Sequence, residues 1–292
     1  MSRFLVACAL VAAGCSHNPT PAAPHPDDAA ATEVMVISTI HKGHLVQKEY
    51  PLGMLHNALV RYKPDLVLVE IRPETFATRH YEDGPFEMTY VTHWATAQGA
   101  AVEPIDWWRE QDMESAPAMT PEEERALEAE LAAMPEPPWP GFRLANQASE
   151  RARGMKVLNA QARYAGGNAV WNRRQAWFNH RAVSAIERHH ARRALAFVGF
   201  NHGTELESYL RAMGLRVRDP LTLEAMDPAA SNEPAPDAVV SAWREGLGRI
   251  RDNAEAATGE SKLRMRAKAR YFEIAVERRG TCCVPESELK PR

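Results

Sequence analysis

The chain alternates between short apolar runs and longer stretches with helical spacing. The first two runs, Glu33 to Ser38 and Leu66 to Arg72, enclose "YPLGMLHNALVRYKPD", where leucines recur at helical spacing between Pro51 in the first turn and Pro64 at the end. Strand, helix and strand in succession form a right-handed βαβ unit. Further strand patterns are "AAVEPID", "RALAFVGF" and "LRVRDPL". The pattern predicts an α/β fold with a mostly parallel central sheet flanked by helices.

Further helices are predicted on both sides of the last two strands. A helical insertion at about 111–165 contains "TPEEERALEAELAA", which opens with a capping box at Thr120 and Glu123. The other predicted helices are Thr89 to Gln98, Phe142 to Tyr164, Asn168 to His190, Thr204 to Gly214, and two C-terminal helices at about Ala238 to Ala256 and Lys262 to Arg279. The C-terminal pair is expected to pack back on the sheet.

The N-terminus "MSRFLVACALVAAGCS" has the pattern of a secretory signal. One basic residue precedes an apolar stretch that is too short for a permanent membrane span, and small residues follow. We therefore predict a signal peptide at 1–14, a flexible Pro/Ala-rich tether at 15–31, an α/β domain at 32–226 and a C-terminal helical extension at 227–292, packed on the same domain. The cut before Cys15 resembles a bacterial lipoprotein signal, which would make Cys15 the lipidated residue.

These features predict an exported protein of the cell envelope that meets the membrane through its lipid anchor only. Ser16 lacks the acidic character associated with inner-membrane retention, which favours the outer membrane, on the periplasmic side. An ordinary signal peptidase could cut the same bond, and the protein would then be soluble in the periplasm. The net charge of -3 gives no general electrostatic reason to bind nucleic acid. Cys282 and Cys283 remain in the folded part, for local packing or as a labile thiol pair.

Two strand ends repeat one design. "VMVISTIH" and "LAFVGFNH" each place a histidine three residues after a small residue, at Ser38 and at Gly199. Because parallel strands end at the same edge of a sheet, we expect His41 and His202 to meet there. Glu70 follows a third strand and needs a partner if it is buried. His44 has no counterpart after the second strand and is a secondary candidate.

Several charged residues are candidates to line the same pocket. Alternation along the second strand predicts that Arg72 shares a face with Glu70. Arg174 and Arg181 fall on the apolar stripe of a helix, where an arginine needs a carboxylate or an anionic ligand. Asp106 ends the third strand pattern and either lines the pocket or caps the following turn.

The motifs "STIH", "YPL", "LVLVEIRPE", "VEPID" and "VGFNHG", in this order, resemble the TraB/PrgY/GumN group. Its wider relatives are the TIKI-type metalloproteases, the erythromycin esterases and the haem-binding ChaN-like lipoproteins. In that group a strand ending in G-x-x-H, a strand ending in Glu and a second G-x-x-H strand follow one another, at positions that match His41, Glu70 and His202. "WNRRQAWF", with Trp171 and Arg174, resembles a W-x-x-R helix in some of these relatives.

The similarity spans roughly Val34 to Leu221 and departs from the group at two points. Ser38 replaces the first glycine, and Gln175 stands after Arg174 where the group usually has asparagine. The choice between Arg174 and Arg181 is therefore open.

The resemblance and the residue types predict an envelope hydrolase of peptide or ester bonds, with a small-molecule or peptide substrate. In one mechanism His41, Glu70 and His202 hold a divalent metal that lowers the pKa of bound water to about 7. In the other, a histidine oriented by Glu70 takes a proton from water directly. In either mechanism Arg174 or Arg72 would stabilise the oxyanion or bind an anionic group of the substrate. The alternatives are a haem- or metal-binding lipoprotein without catalytic activity and a catalytically silent envelope protein.

Overall fold

The computed structural model describes residues 32–107, 120–132, 139–152, 168–223 and 227–290. In this part of the chain five strands form one sheet in the order β3-β2-β4-β1-β5, and every neighbouring pair is parallel. The strands are β1 (Glu33–Thr39), β2 (Leu66–Val69), β3 (Ala101–Pro104), β4 (Arg193–Gly199) and β5 (Arg216–Arg218). The predicted α/β class is confirmed. The predicted signal peptide, Cys15 and the tether up to residue 31 lie outside the described residues.

Helices connect the strands and extend the fold at its C-terminus. They are α1 (Gly53–Tyr62), α2 (Pro73–Ala77), α3 (Phe86–Ala97), α4 (Pro121–Ala132), α5 (Phe142–Asn146), α6 (Asn168–Arg188), α7 (Gly203–Ala212), α8 (Asp237–Ala256) and α9 (Gly259–Glu277). A short 3₁₀ helix, His41–Leu45, follows β1 directly. Among the described residues no helix is both long and apolar enough to cross a membrane.

Both faces of the sheet are buried, which explains the continuous apolar runs. Met35 and Ile37 of β1 point into a core that α1 and α3 complete. Val34 and Val36 point to the opposite face, into a second core with α6 and α7. Because side chains alternate between the two faces of a strand, β1 contributes residues to both cores.

Several predicted boundaries shift in the structure. Helix α1 begins at Gly53, so Pro51 precedes the helix rather than occupying its first turn. The predicted helix from Phe142 breaks at Gln147 and resumes over residues 148–152, beyond which it leaves the described residues. The capping box is confirmed, because Thr120 N donates to Glu123 Oε2 and Glu123 N donates to Thr120 Oγ1.

The two C-terminal helices pack on α3 instead of directly on the sheet. Trp243 of α8 is fully buried, and its Nε1 donates to Phe86 O at 2.8 Å. The physical reason is that α1 and α3 already cover this face of the sheet. The structure joins Cys282 and Cys283 by a disulfide. Val284 N, just beyond them, donates to Leu45 O, which ties the C-terminal segment to the turn after β1.

Candidate functional site

The candidate site lies between the carboxyl ends of β1 and β4. The connection that leaves β1 passes through α1 on one face of the sheet, whereas the connection that leaves β4 passes through α7 on the other. Neighbouring strands whose connections leave on opposite faces open a crevice at their carboxyl ends, where ligands bind in open α/β sheets. His41 and His202 follow these two strands and lie at this crevice.

His41 forms a hydrogen-bonded pair with Glu87 of α3. Its Nδ1 donates to Glu87 Oε1 at 2.8 Å, and the same oxygen accepts a hydrogen bond from Thr39 Oγ1. Glu87 is completely buried, whereas the His41 side chain is 41% exposed. His41 also has φ of 49°, a left-handed conformation that non-glycine residues seldom adopt and that often occurs at functional sites. The pair therefore presents one accessible imidazole held from behind by a buried carboxylate.

The Glu87 carboxylate sets the protonation of His41. Burial alone would lower the pKa of the His41 imidazole, but the charge and hydrogen bond of Glu87, helped by the charge of Glu70, raise it above its ordinary value. Burial likewise acts to raise the pKa of Glu87, and His41 outweighs it, so that the pKa of Glu87 lies below its usual range. His41 is therefore a stronger base than a free imidazole.

Glu70, Arg174 and Asp106 form a buried ionic cluster beside this pair. Arg174 donates from Nη2 to Glu70 Oε1 at 2.9 Å, and from Nε and Nη2 to the two oxygens of Asp106 at 2.8 Å. Gly199 N donates to the other oxygen of Glu70 at 2.5 Å. Burial raises the pKa of Glu70, although His41 and Arg174 act against it. A bidentate pair of this kind fixes the orientation of both carboxylates.

His202 is held as a neutral imidazole. Its ring is stacked between Trp171 and Phe178, each with a centroid distance of 4.5 Å. Its Nδ1 donates to Gln175 Oε1 at 2.8 Å, and Gln175 Nε2 in turn donates to Asn179 Oδ1. Because an amide oxygen only accepts, the proton of His202 is on Nδ1, and Nε2 is left as an acceptor that faces Glu70 Oε1 at 3.8 Å. Burial and the positive charge of Arg174 hold the pKa of His202 well below its ordinary value.

Gly199 is the point where His41 and Glu70 come together. A Cβ atom at position 199 would lie 2.5 Å from His41 Nε2 and 3.1 Å from Glu70 Oε2. The free nitrogen of His41 and the carboxylate of Glu70 are therefore close neighbours, and only glycine leaves room for both. The structure thus brings together His41, Glu70 and His202, along with Arg174 and Asp106.

Three other predicted site residues lie apart from this cluster. Arg72 pairs with Asp83 instead of facing Glu70. The predicted alternation is wrong here, because β2 ends at Val69 and a hydrogen bond from Ile71 N to Val69 O turns the chain.

His44 and Arg181 make contacts with the backbone. His44 is completely buried, with Nδ1 donating to Tyr50 O and Nε2 accepting from Ile40 N, and burial lowers its pKa to about 4. It stabilises the turn that carries His41. Arg181 donates from Nε to Pro104 O, on the same face of α6 as Arg174 but two turns farther along the helix. The structure places Arg174, not Arg181, against the carboxylates.

Sequence reasoning missed Glu87 and Gln175. Glu87 stands within "PFEMTYVTHWA", and a carboxylate in such an apolar segment is a signal for a buried partner. Gln175 lies four residues after Trp171 and three before Phe178, on the stripe that faces His202. A polar residue on a core-facing stripe likewise indicates a buried hydrogen-bond partner.

The positive charge of Arg174 acts against a divalent cation held by His41, Glu70 and His202. Each oxygen of Glu70 accepts one hydrogen bond, from Gly199 N or from Arg174, and a bound cation would have to share these oxygens. Within the described ranges, no three His, Cys, Asp or Glu side chains are grouped so as to hold a metal ion.

Comparisons with protein-family models, with curated proteins and with solved structures find no match for the chain.

Proposed function

We propose that the protein is a hydrolase of ester or amide bonds in which His41, held by Glu87, takes a proton from water without a metal. The observation that carries this proposal is the His41–Glu87 pair at the crevice between β1 and β4, with His41 Nε2 beside Glu70. A histidine oriented by a carboxylate through Nδ1, with Nε2 turned toward the substrate, is the arrangement that general-base catalysis requires.

The pKa values of His41 and His202 are shifted in opposite directions, which supports different catalytic roles for the two histidines. His41 is the stronger base, since its pKa is raised, and it is the more exposed of the two. His202 stays neutral and keeps Nε2 as an acceptor, because burial and Arg174 lower its pKa. Pairs of titratable groups whose pKa values are shifted in opposite directions are typical of acid–base sites. His41 is the proposed proton carrier, and His202 positions water or substrate through Nε2.

The proposed reaction transfers one proton in each direction. His41 Nε2 removes a proton from water while the water oxygen bonds to the substrate carbonyl carbon, which gives a tetrahedral oxyanion and an imidazolium. Glu87 stabilises the imidazolium through Nδ1. When the oxyanion collapses, the bond to the leaving oxygen or nitrogen breaks, and the proton on Nε2 passes to that atom. The products are a carboxylic acid and an alcohol or amine, and His41 returns to its neutral form.

Replacing Glu87 with glutamine is expected to reduce kcat by about 100-fold or more, within the range that a positioned general base contributes. His41 acts as a base only in its neutral form, so activity rises with pH through its pKa. Since Glu87 raises that pKa, the variant should move the acidic limb of the pH–rate profile to lower pH. Initial rates of p-nitrophenyl acetate hydrolysis from pH 5 to 9 measure both effects.

The matched control for this prediction is Glu255→Gln, which changes an exposed glutamate of α8. It should leave both the rate and the limb unchanged. A Glu87→Gln profile that coincides with that of the wild-type protein would show that the carboxylate does not act on the catalytic base.

Metal removal is expected to leave the activity unchanged. Because His41, held by Glu87, takes the proton from water directly, the proposed chemistry needs no metal at this site. Elemental analysis of the tag-free protein, with rates measured before and after dialysis against EDTA, gives the test. Stoichiometric metal that disappears in the His41→Ala/His202→Ala variant, together with activity lost to EDTA and restored by the metal, would instead establish a metallohydrolase.

A further inference from the structure

A groove of about 440 Å³ lies between α6 and α7, next to the site. Asn172, Gln175 and Asn179 of α6 line one wall, and their spacing places them on one face of the helix. The other wall is formed mainly by Thr204, Glu205 and Ser208 of α7.

Two residues of this groove bury oxygen atoms that have no hydrogen-bond partner within the described part of the chain. They are Thr204, through Oγ1, and Glu205, through Oε2. Buried polar atoms in folded proteins nearly always have partners, and each exception needs an explanation, such as a functional role or a bound water or ion. Burial also raises the pKa of Glu205. A bound ligand could therefore supply the missing hydrogen-bond partner to each of these two oxygen atoms.

The residues that line the groove indicate which class of ligand could bind there. Among the residues that the structure describes, the lining contains no lysine or arginine and its one carboxyl is that of Glu205, so these residues offer an anionic ligand no countercharge. The amide and hydroxyl side chains each both donate and accept hydrogen bonds. A ligand with several hydroxyl groups, each of them donor and acceptor, matches this lining best.

Gln175 connects the groove to the site. Its side chain lines the groove and also accepts the hydrogen bond from His202 Nδ1. Thr204 follows His202 by two residues at the start of α7. We propose that the groove is a binding subsite for a neutral, hydroxyl-rich ligand of the carbohydrate class, which, on the function proposed above, is the part of the substrate next to the scissile bond.

The variant Thr204→Val separates a binding role from a structural one. Valine keeps the shape of threonine and removes a buried hydroxyl that has no partner, so the melting temperature should stay the same or rise. Ligand affinity should nevertheless fall at least tenfold. Glu205→Gln should weaken binding to a similar extent, whereas Glu187→Gln, at the far end of α6, is the control and should not change it.

Binding is measured by saturation-transfer NMR titration with the methyl glycosides of glucose, galactose and mannose, alongside the methyl glycosides of glucuronate, galacturonate and mannuronate. At least one neutral glycoside is expected to bind, and its uronate counterpart at least tenfold more weakly. The proposal is overturned if none of the neutral glycosides binds, if the uronates bind equally well, or if Thr204→Val binds like the wild-type protein.

The same titration in His41→Gln keeps this proposal distinct from the proposed function. His41 is not part of the groove lining, so glycoside binding should persist in this variant even where hydrolysis is lost. Binding without hydrolysis in the wild-type protein would refute the hydrolase and keep the subsite. Hydrolysis without glycoside binding would refute the subsite and keep the hydrolase.

Discussion

Replacing Arg174 with methionine is expected to lower the free energy of unfolding by about 3–5 kcal/mol, the usual cost of leaving a buried charge without its partner. Arg174 is the countercharge of two buried carboxylates, Glu70 and Asp106, which it contacts at 2.8 to 2.9 Å. Urea denaturation at pH 7 measures the loss.

The matched control is Arg211→Met, because Arg211 also pairs with a carboxylate but is 53% exposed. Its removal should cost at most about 1 kcal/mol, as is usual for exposed ion pairs. The buried cluster would not have the assigned role if both variants lost the same amount.

The loss of unfolding free energy in Arg174→Met should also depend on pH. Without the guanidinium, the pKa of Glu70, which burial already raises, moves farther above its unfolded value. A group with a raised folded pKa keeps its full stability below the unfolded pKa and loses stability as pH rises through the folded pKa. The difference between the wild-type protein and the variant should therefore shrink at acidic pH, toward about pH 4, where carboxyl groups become protonated in both states.

Replacing Gly199 with alanine is expected to reduce hydrolysis by at least about 100-fold, the scale on which a misplacement of 1 Å acts on catalysis. The added methyl would stand 2.5 Å from His41 Nε2, so the imidazole must leave its position beside Glu70. Gly199 does not adopt a left-handed conformation, so the effect is steric and local. Rates with p-nitrophenyl acetate and a thermal melt measure activity and folding separately.

Gly248→Ala is the control for this substitution. No atom of the residues that the structure describes lies within 4 Å of a Cβ at Gly248, in the middle of α8. Alanine there should therefore stabilise the helix by about 0.5 to 1 kcal/mol and leave hydrolysis unchanged. A Gly199→Ala protein with full activity would contradict the placement of His41 against Gly199.

The convergence of His41, Glu70 and His202 could be predicted because it follows from the architecture. Apolar runs without alternation indicate parallel strands, and parallel strands end at one edge of the sheet. A residue just beyond each strand is therefore placed near the others before any side-chain contact is known.

The supporting residues could not be predicted in the same way. Glu87 lies 46 residues after His41, on a helix whose rotation and depth are set by packing in the core. Arg174 and Arg181 are seven residues apart and share one helical face, so periodicity cannot choose between them. Only the position of α6 along the sheet decides that Arg174 reaches the carboxylates. Arg72 was misplaced because strand alternation ends where the strand ends.

We infer that the fold holds His41 as a base whose pKa is raised by Glu87, and His202 as a neutral hydrogen-bond acceptor. The most direct test is an NMR titration of the two imidazole rings by their ¹⁵N shifts, with assignments from His41→Gln and His202→Gln. The prediction is that His41 titrates above pH 6.5 and that this midpoint falls in Glu87→Gln, while His202 stays neutral and Nδ1-protonated well below pH 6.5. Two histidines that both titrate near pH 6.5, or a His202 that gains its proton before His41, would contradict it.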